Sequence, residues 1–169
     1  MSRLIAAGLA VFCIAALPTA LEHHATPAVL WNTTPSAPVG LYRVHPAHPL
    51  KVGDWVAAWP PRTLRGLFGA RSYLPLGVPL VKRIAALEPS RVCRTGDQVS
   101  VDGRPIAIAR PSDRLGRDLP TWSGCRTLHG RDVFLLNTDE ASLDGRYFGP
   151  ISADLVVGRL TPLWIWGGR

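Results

Sequence analysis

The sequence predicts a mainly β domain behind one N-terminal apolar segment. Three observations carry that reading. The 169 residues include 16 glycines and 16 prolines, so turns are frequent. Short β-branched and aromatic runs recur between those turn residues, the pattern of a sheet-built domain. Past the first two dozen residues, little of the chain repeats apolar residues at helical spacing. The length supports one domain, and 47% hydrophobic content is that of a folded chain, not a disordered one.

The elements follow in order. Residues 1–22 open with Arg3 and then run uncharged from Leu4 to Leu21. Eighteen residues lie at the boundary between a signal-peptide core and a short membrane span, and no clean small-x-small cleavage site surrounds Ala20. The segment reads as a signal anchor or a signal peptide. Arg3 before the run and Glu22, His23 and His24 after it orient the remaining chain, residues 23–169, outward. In that domain GLYRV (41 is its first leucine) and VGDWVAAW are strand candidates, the second ended by Pro60-Pro61. LVKRIAAL, from Leu80, fits a strand or a helix by pattern alone. DQVSVDGRPIAIA alternates around Asp102-Gly103, the strongest hairpin signal in the chain. DVFLLN and ADLVVGRLTPLWIW supply two or three further strands. Residues 62–79 and 110–124 read as loops, the first apolar and the second polar.

Net charge is +7, carried by scattered arginines; Lys51 and Lys82 are the two lysines. No basic run and no aromatic-interleaved basic motif points to nucleic acid, whereas attraction to an anionic membrane surface fits. Cys13 lies in the apolar run. Cys93 and Cys125 lie in the outward domain, where an oxidising compartment favours a disulfide between them; two buried free thiols are the alternative. No CxxC or HxxxH pair suggests zinc, and His45 and His48 sit among prolines as loop residues.

Two residue types in unusual settings carry the chemistry. In NTTPSAPVGLYRV, Pro35 and Pro38 stiffen the backbone around Ser36 and predict an extended segment. The segment is either a polar linker or a display for a nucleophile, and a serine nucleophile needs a base to take its proton. His45, His48 and His129 lack a suggestive setting. Lys82, within PLVKRIAAL, becomes a competent base if it faces the core, because burial penalises its charged form; otherwise it is a surface lysine of an amphipathic strand. Arg83 would then point to solvent. A third stretch, LLNTDEASLDGRYFGPI, gathers Ser142, Asp144, Arg146 and Tyr147 within six residues.

The serine box, GDWV, VKRI and SLDGRYFGP, in that order, resemble the boxes of the type I signal peptidases (S26-like, Ser/Lys) across residues 32–165. The short chain, the PSAPVGLYRV form of the serine box and the cysteine pair resemble the TraF-type branch, the peptidases of conjugative plasmid transfer and related type IV secretion systems. The resemblance implies a signal-peptidase-like all-β catalytic domain with a membrane anchor. It implies Ser36 as nucleophile and Lys82 as general base, with Thr34 assisting the oxyanion. Ser142 would orient the lysine amine, and Asp144 and Arg146 would brace the site. No metal or cofactor is required by such a dyad. The implied substrate is a membrane-tethered, pilin-like precursor with small residues at the cut, met at the periplasmic side of the bacterial inner membrane. Its acyl-enzyme would be resolved by water or by a substrate amine, the latter giving cyclisation. Ala37 stands where the general enzymes usually carry Met, Gly145 replaces a serine, and the Gly-Asp expected after the lysine strand is missing. The alternatives are a housekeeping leader peptidase, a self-cleaving Ser/Lys regulator and a non-catalytic secretion-channel component. The loop bearing Leu67, Phe68, Tyr73 and Leu74 is a candidate for the membrane interface, as are Trp55, Trp59, Trp164 and Trp166, with core packing as the other reading of the tryptophans.

Overall fold

The computed structural model describes residues 27–75 and 77–166. Eleven strands form two antiparallel sheets among these residues. The larger sheet orders its strands β1-β2-β11-β3-β4-β9-β10: Val29–Asn32, Gly40–His45, Val156–Ile165, Trp55–Ala58, Leu80–Ala86, Asp132–Leu135 and Ile151–Ser152. The smaller sheet orders β7-β6-β5-β8: Arg104–Ile108, Gln98–Val101, Arg91–Thr95 and Gly124–Thr127. Val92, Val99 and Leu128 of the small sheet's side pack with Ala86 and Phe134 of the large sheet, so one apolar layer joins the two. The mainly β expectation holds.

LVKRIAAL is a strand. Leu80 and Val81 are both buried; from Lys82 onward burial alternates, with Lys82 and Ile84 inside and Arg83 outside, where the Arg83 guanidinium lies 5.9 Å from the Trp55 ring centre. At the tip of the β6–β7 hairpin, Asp102 and Gly103 both take positive φ, 50° and 77°. That is the backbone a two-residue primed turn requires. Cys93 and Cys125 stand directly opposite in the β5–β8 register and are joined as a disulfide, with Cα atoms 4.0 Å apart.

Two sequence expectations need correction. Residues 62–79 are not a loop throughout: Arg62–Ala70 form helix α1. Leu64, Leu67 and Phe68 recur at helical spacing and pack with Leu74 and Leu80, enough to hold a short helix despite Gly66 and Gly69. Phe68 and Leu74 are therefore core residues, not probes of an interface. The second correction concerns Ser36. It lies in a turn, closed by the Ala37 N–H on the Thr34 carbonyl at 3.5 Å, not in an extended segment. Pro35 occupies the second turn position, where its fixed φ is favoured, while Ser36 does not itself precede a proline and so escapes that restriction.

The tryptophans divide. Trp55 and Trp59 are half-buried. Trp164 and Trp166 are exposed and meet edge to face at 5.3 Å, and Trp164 stacks on Trp31 at 5.6 Å. Among the described residues no helix is long and apolar enough to cross a membrane; the expected anchor, with Cys13, lies outside them.

Candidate active site

Three chain segments converge on one cleft. The first is the turn 34–37 between β1 and β2, the second is β4, and the third runs from the end of β9 through the short helix α2, Gly145–Phe148. The cleft encloses about 410 Å³, within the range of small-ligand sites. Leu30, Phe68, Leu74, Leu80 and Leu143 give it apolar walls, and Ser36, Lys82 and Ser142 line it together. Among the described residues no histidine lines the cleft.

The turn is held from within its own hairpin. Asn32, buried at the end of β1, donates from Nδ2 to the carbonyls of Thr34, Ala37 and Pro38 at 3.0–3.2 Å. The Tyr42 hydroxyl donates to the Pro38 carbonyl at 2.6 Å, and burial raises its pKa. Ser36 is thereby presented half-exposed on a fixed backbone.

Lys82 is 3% exposed. Its Nζ lies 2.8 Å from Ser142 Oγ and 3.4 Å from Ser36 Oγ. The second distance is long for a hydrogen bond but ordinary for a catalytic contact before substrate arrives. Burial lowers the Lys82 pKa from 10.5 to about 8; the Asp144 carboxylate pulls it back upward and the Arg146 guanidinium offsets that pull. An amine so placed is neutral over an accessible pH range and can take a proton from the serine hydroxyl.

Behind the lysine, Asp144 and Arg146 form a fully buried pair. Arg146 Nε and Nη2 each meet one Asp144 oxygen at 2.9 Å. Arg146 also donates to the carbonyls of Asn137 and Asp139. Asp144 accepts from the backbone N–H of Arg146, capping α2, and from that of Asn137. A buried ion pair is tolerable only with its remaining hydrogen-bonding capacity met, as here. The chain passes so close beneath α2 that a Cβ on Gly145 would sit 2.5 Å from Phe134 Cε2 and 2.6 Å from the Leu135 carbonyl oxygen. The glycine that departs from the resembled motif is thus required by local packing.

Of the residues the resemblance assigns to the site, Thr34, Ser36, Lys82 and Ser142 line the cleft and Asp144 and Arg146 lie behind it; the bridged Cys93 and Cys125 fasten the small sheet instead. Thr34 arrives with its hydroxyl already donating to Asn32 Oδ1 at 2.9 Å, so an oxyanion role requires that bond to be exchanged. The Ser36 N–H donates to no group among the described residues. Sequence reasoning missed Asn32, Tyr42 and Asn137, whose partners are mostly backbone groups.

The family described as signal peptidase, peptidase S26, matches residues 1–166. The chain is similar to a plasmid transfer protein TraF of Escherichia coli, 35% identical over 182 residues, covering 98% of this chain and 100% of the relative. It is also similar to a probable conjugal transfer protein TraF of Sinorhizobium fredii, 38% identical over 138 residues, covering 75% and 72% respectively. Among solved structures, a signal peptidase I from Enterococcus faecalis matches with a TM-score of 0.40 at 20% identity, covering 67% of this chain and 97% of that one. With a family match spanning the chain and relatives matched over most of their own length, the chain belongs to the signal peptidase, peptidase S26, family.

Proposed function

We propose that the protein is a membrane-associated Ser/Lys endopeptidase that processes an exported precursor, such as a pilin subunit, during plasmid transfer by type IV secretion. The carrying observation is the buried Lys82 amine, with a lowered pKa, between Ser36 Oγ and Ser142 Oγ. Ser36 Oγ attacks the scissile carbonyl while its proton moves to the neutral Lys82 Nζ. The resulting ammonium then protonates the leaving amine, which gives the acyl-enzyme and returns the lysine to its neutral form. Lys82 next takes a proton from the acceptor, a water or a substrate amine, which attacks the ester carbonyl; as the acyl–oxygen bond breaks, the ammonium returns that proton to Ser36 Oγ. The free Ser36 N–H is an available oxyanion donor, joined by the Thr34 hydroxyl once it leaves Asn32. Ser142 holds the amine, and Asp144 with Arg146 braces the segment that carries Ser142.

The relatives named for plasmid and conjugal transfer favour this setting over general secretion. The exposed Trp31, Trp164 and Trp166 support a membrane-facing end, since they adjoin β1, the first strand after the apolar N-terminal run. On this reading the domain works at the periplasmic side of the inner membrane.

The test combines genetics with product mass. Ser36→Ala and Lys82→Ala should each abolish processing of the candidate pilin while circular dichroism stays unchanged. Substantial processing by either variant refutes the dyad. With the wild-type enzyme, hydrolysis adds a water to the summed product masses and cyclisation does not.

A further inference from the structure

The β4–β9 ladder stops before it reaches Lys82. Its register pairs are Ile84 with Leu135 and Ala86 with Phe134, and the Leu136 N–H reaches back to the Arg83 carbonyl. From there the chain turns away towards Ser142. The side chain of Asn137 takes over where the backbone leaves. Its Oδ1 accepts from the Arg83 N–H at 3.0 Å, and its Nδ2 donates to the Val81 carbonyl at 3.1 Å. Val81 and Arg83 flank Lys82, so the amide pairs with β4 on both sides of the lysine, as a neighbouring strand would. The same Nδ2 donates to the Ser36 carbonyl at 2.7 Å.

One buried amide therefore grips the serine's own backbone and both neighbours of the lysine. Among the described residues, Lys82 and Asn137 make the only side-chain hydrogen bonds that tie the 34–37 turn to the β4–β9 side. Asn32 and Tyr42 hydrogen-bond the turn only from within its own hairpin, while Ala37 and Tyr42 share one apolar cluster with Val81 of β4, a contact without the directionality of a hydrogen bond. Asn137 is itself fixed: its N–H is taken by Asp144 and its carbonyl by Arg146. It does not line the cleft.

We infer that Asn137 is a positioning residue that sets the separation of Ser36 and Lys82, coupling the Asp144–Arg146 pair to the nucleophile. The inference rests on the Ser/Lys reading above. Misplacement of a reacting group by about 1 Å can cost on the order of 100-fold in rate, so the amide governs turnover without touching substrate.

The experiment uses the full chain in detergent and an internally quenched peptide with alanines flanking the scissile bond. Rates are normalised to the folded fraction from near-ultraviolet circular dichroism. Asn137→Ala should lower kcat about 10–100-fold, the usual range for outer supporting groups, with KM within about twofold of wild type. Asn137→Asp keeps the shape and the acceptor for Arg83 but loses both donations. Its carboxylate favours the charged amine, so the rate–pH midpoint should move upward as kcat falls. A kcat within about twofold of wild type in Asn137→Ala overturns the inference, as does an unmoved midpoint in Asn137→Asp. Failure of both variants to fold also overturns it, leaving Asn137 a structural residue. Ser36→Ala and Lys82→Ala run alongside: if they stay active, the dyad reading itself has failed, whereas inactive controls beside wild-type-like Asn137 variants fault this inference alone.

Discussion

The lowered pKa of Lys82 makes one prediction quantitative in both rate and stability. Burial brings it from 10.5 to about 8. The rate should therefore follow the neutral amine, with roughly a tenth available at pH 7 and roughly nine tenths at pH 9. Stability must move in the same direction. Between about 8 and 10.5 the folded chain has lost the Lys82 proton and the unfolded chain has kept it. Wherever the unfolded state binds more protons, stability rises with pH. Below about pH 8 both states carry the proton, and the fold bears the full penalty of a buried ammonium. The gap between the two values converts to about 3 kcal/mol, an order-of-magnitude figure at about 1.4 kcal/mol per tenfold. Lys82→Met keeps most of the volume and removes the titration. Urea unfolding followed by tryptophan fluorescence at intervals from pH 7 to 10.5 should find the wild type losing ground to this variant as pH falls towards 8. Other titrating groups cancel in the difference. Parallel stability curves, together with a rate that climbs only near 10.5, would mean that the amine is solvated and that the base lies elsewhere.

Three further outcomes are expected. Ser142→Ala removes the 2.8 Å contact that holds Nζ and should reduce kcat about 10–100-fold while altering KM far less, read from steady-state kinetics. Gly145→Ser places a Cβ against the Phe134 ring and the Leu135 carbonyl, so it should cost about 1–3 kcal/mol or more in urea unfolding; an unchanged midpoint would mean that Phe134 yields freely. Reduction of Cys93–Cys125, or Cys93→Ala with Cys125→Ala, opens a loop closed across 32 residues and should cost about 3–4 kcal/mol in the chain-entropy account. Non-reducing peptide mass mapping should recover the linked pair from exported protein.

Legibility of this molecule in its sequence follows the range of the interactions involved. The Asp102-Gly103 hairpin was legible because its signal is local: two residues able to take positive φ between alternating runs. The inward Lys82 and outward Arg83 were legible because strand alternation forces neighbours to opposite faces. β1, β5, β8 and β10 were not. They are two to five residues long, and all four residues of β8 are exposed, so no apolar period marks them. They exist because neighbouring strands offer backbone partners, and that information is not written in the strands themselves. Helix α1 did carry a signal, the spacing of Leu64, Leu67 and Phe68, but Gly66, Gly69 and the prolines around it outweighed that in a reading by composition.

The site divides along the same line, which explains why its chemistry was easier to read than its construction. Ser36, Lys82, Ser142, Asp144 and Arg146 are recognisable because their side chains are reactive or charged and fall in ordered boxes. Asn32 and Asn137 are neutral amides with many uses, and their partners are mostly backbone N–H and carbonyl groups, which nearly every residue possesses. The Asn137 partners Val81 and Ser36 lie 56 and 101 residues away; nothing in the local sequence announces either bond. Yet leaving such buried carbonyls unpaired costs about 1–3 kcal/mol each, comparable to a large part of the stability of a small domain. Groups that look incidental in the sequence therefore decide where the recognisable ones stand. A variant that keeps all five of the recognisable residues and loses Asn137 would retain every feature by which the family is identified, and should still be a poor enzyme.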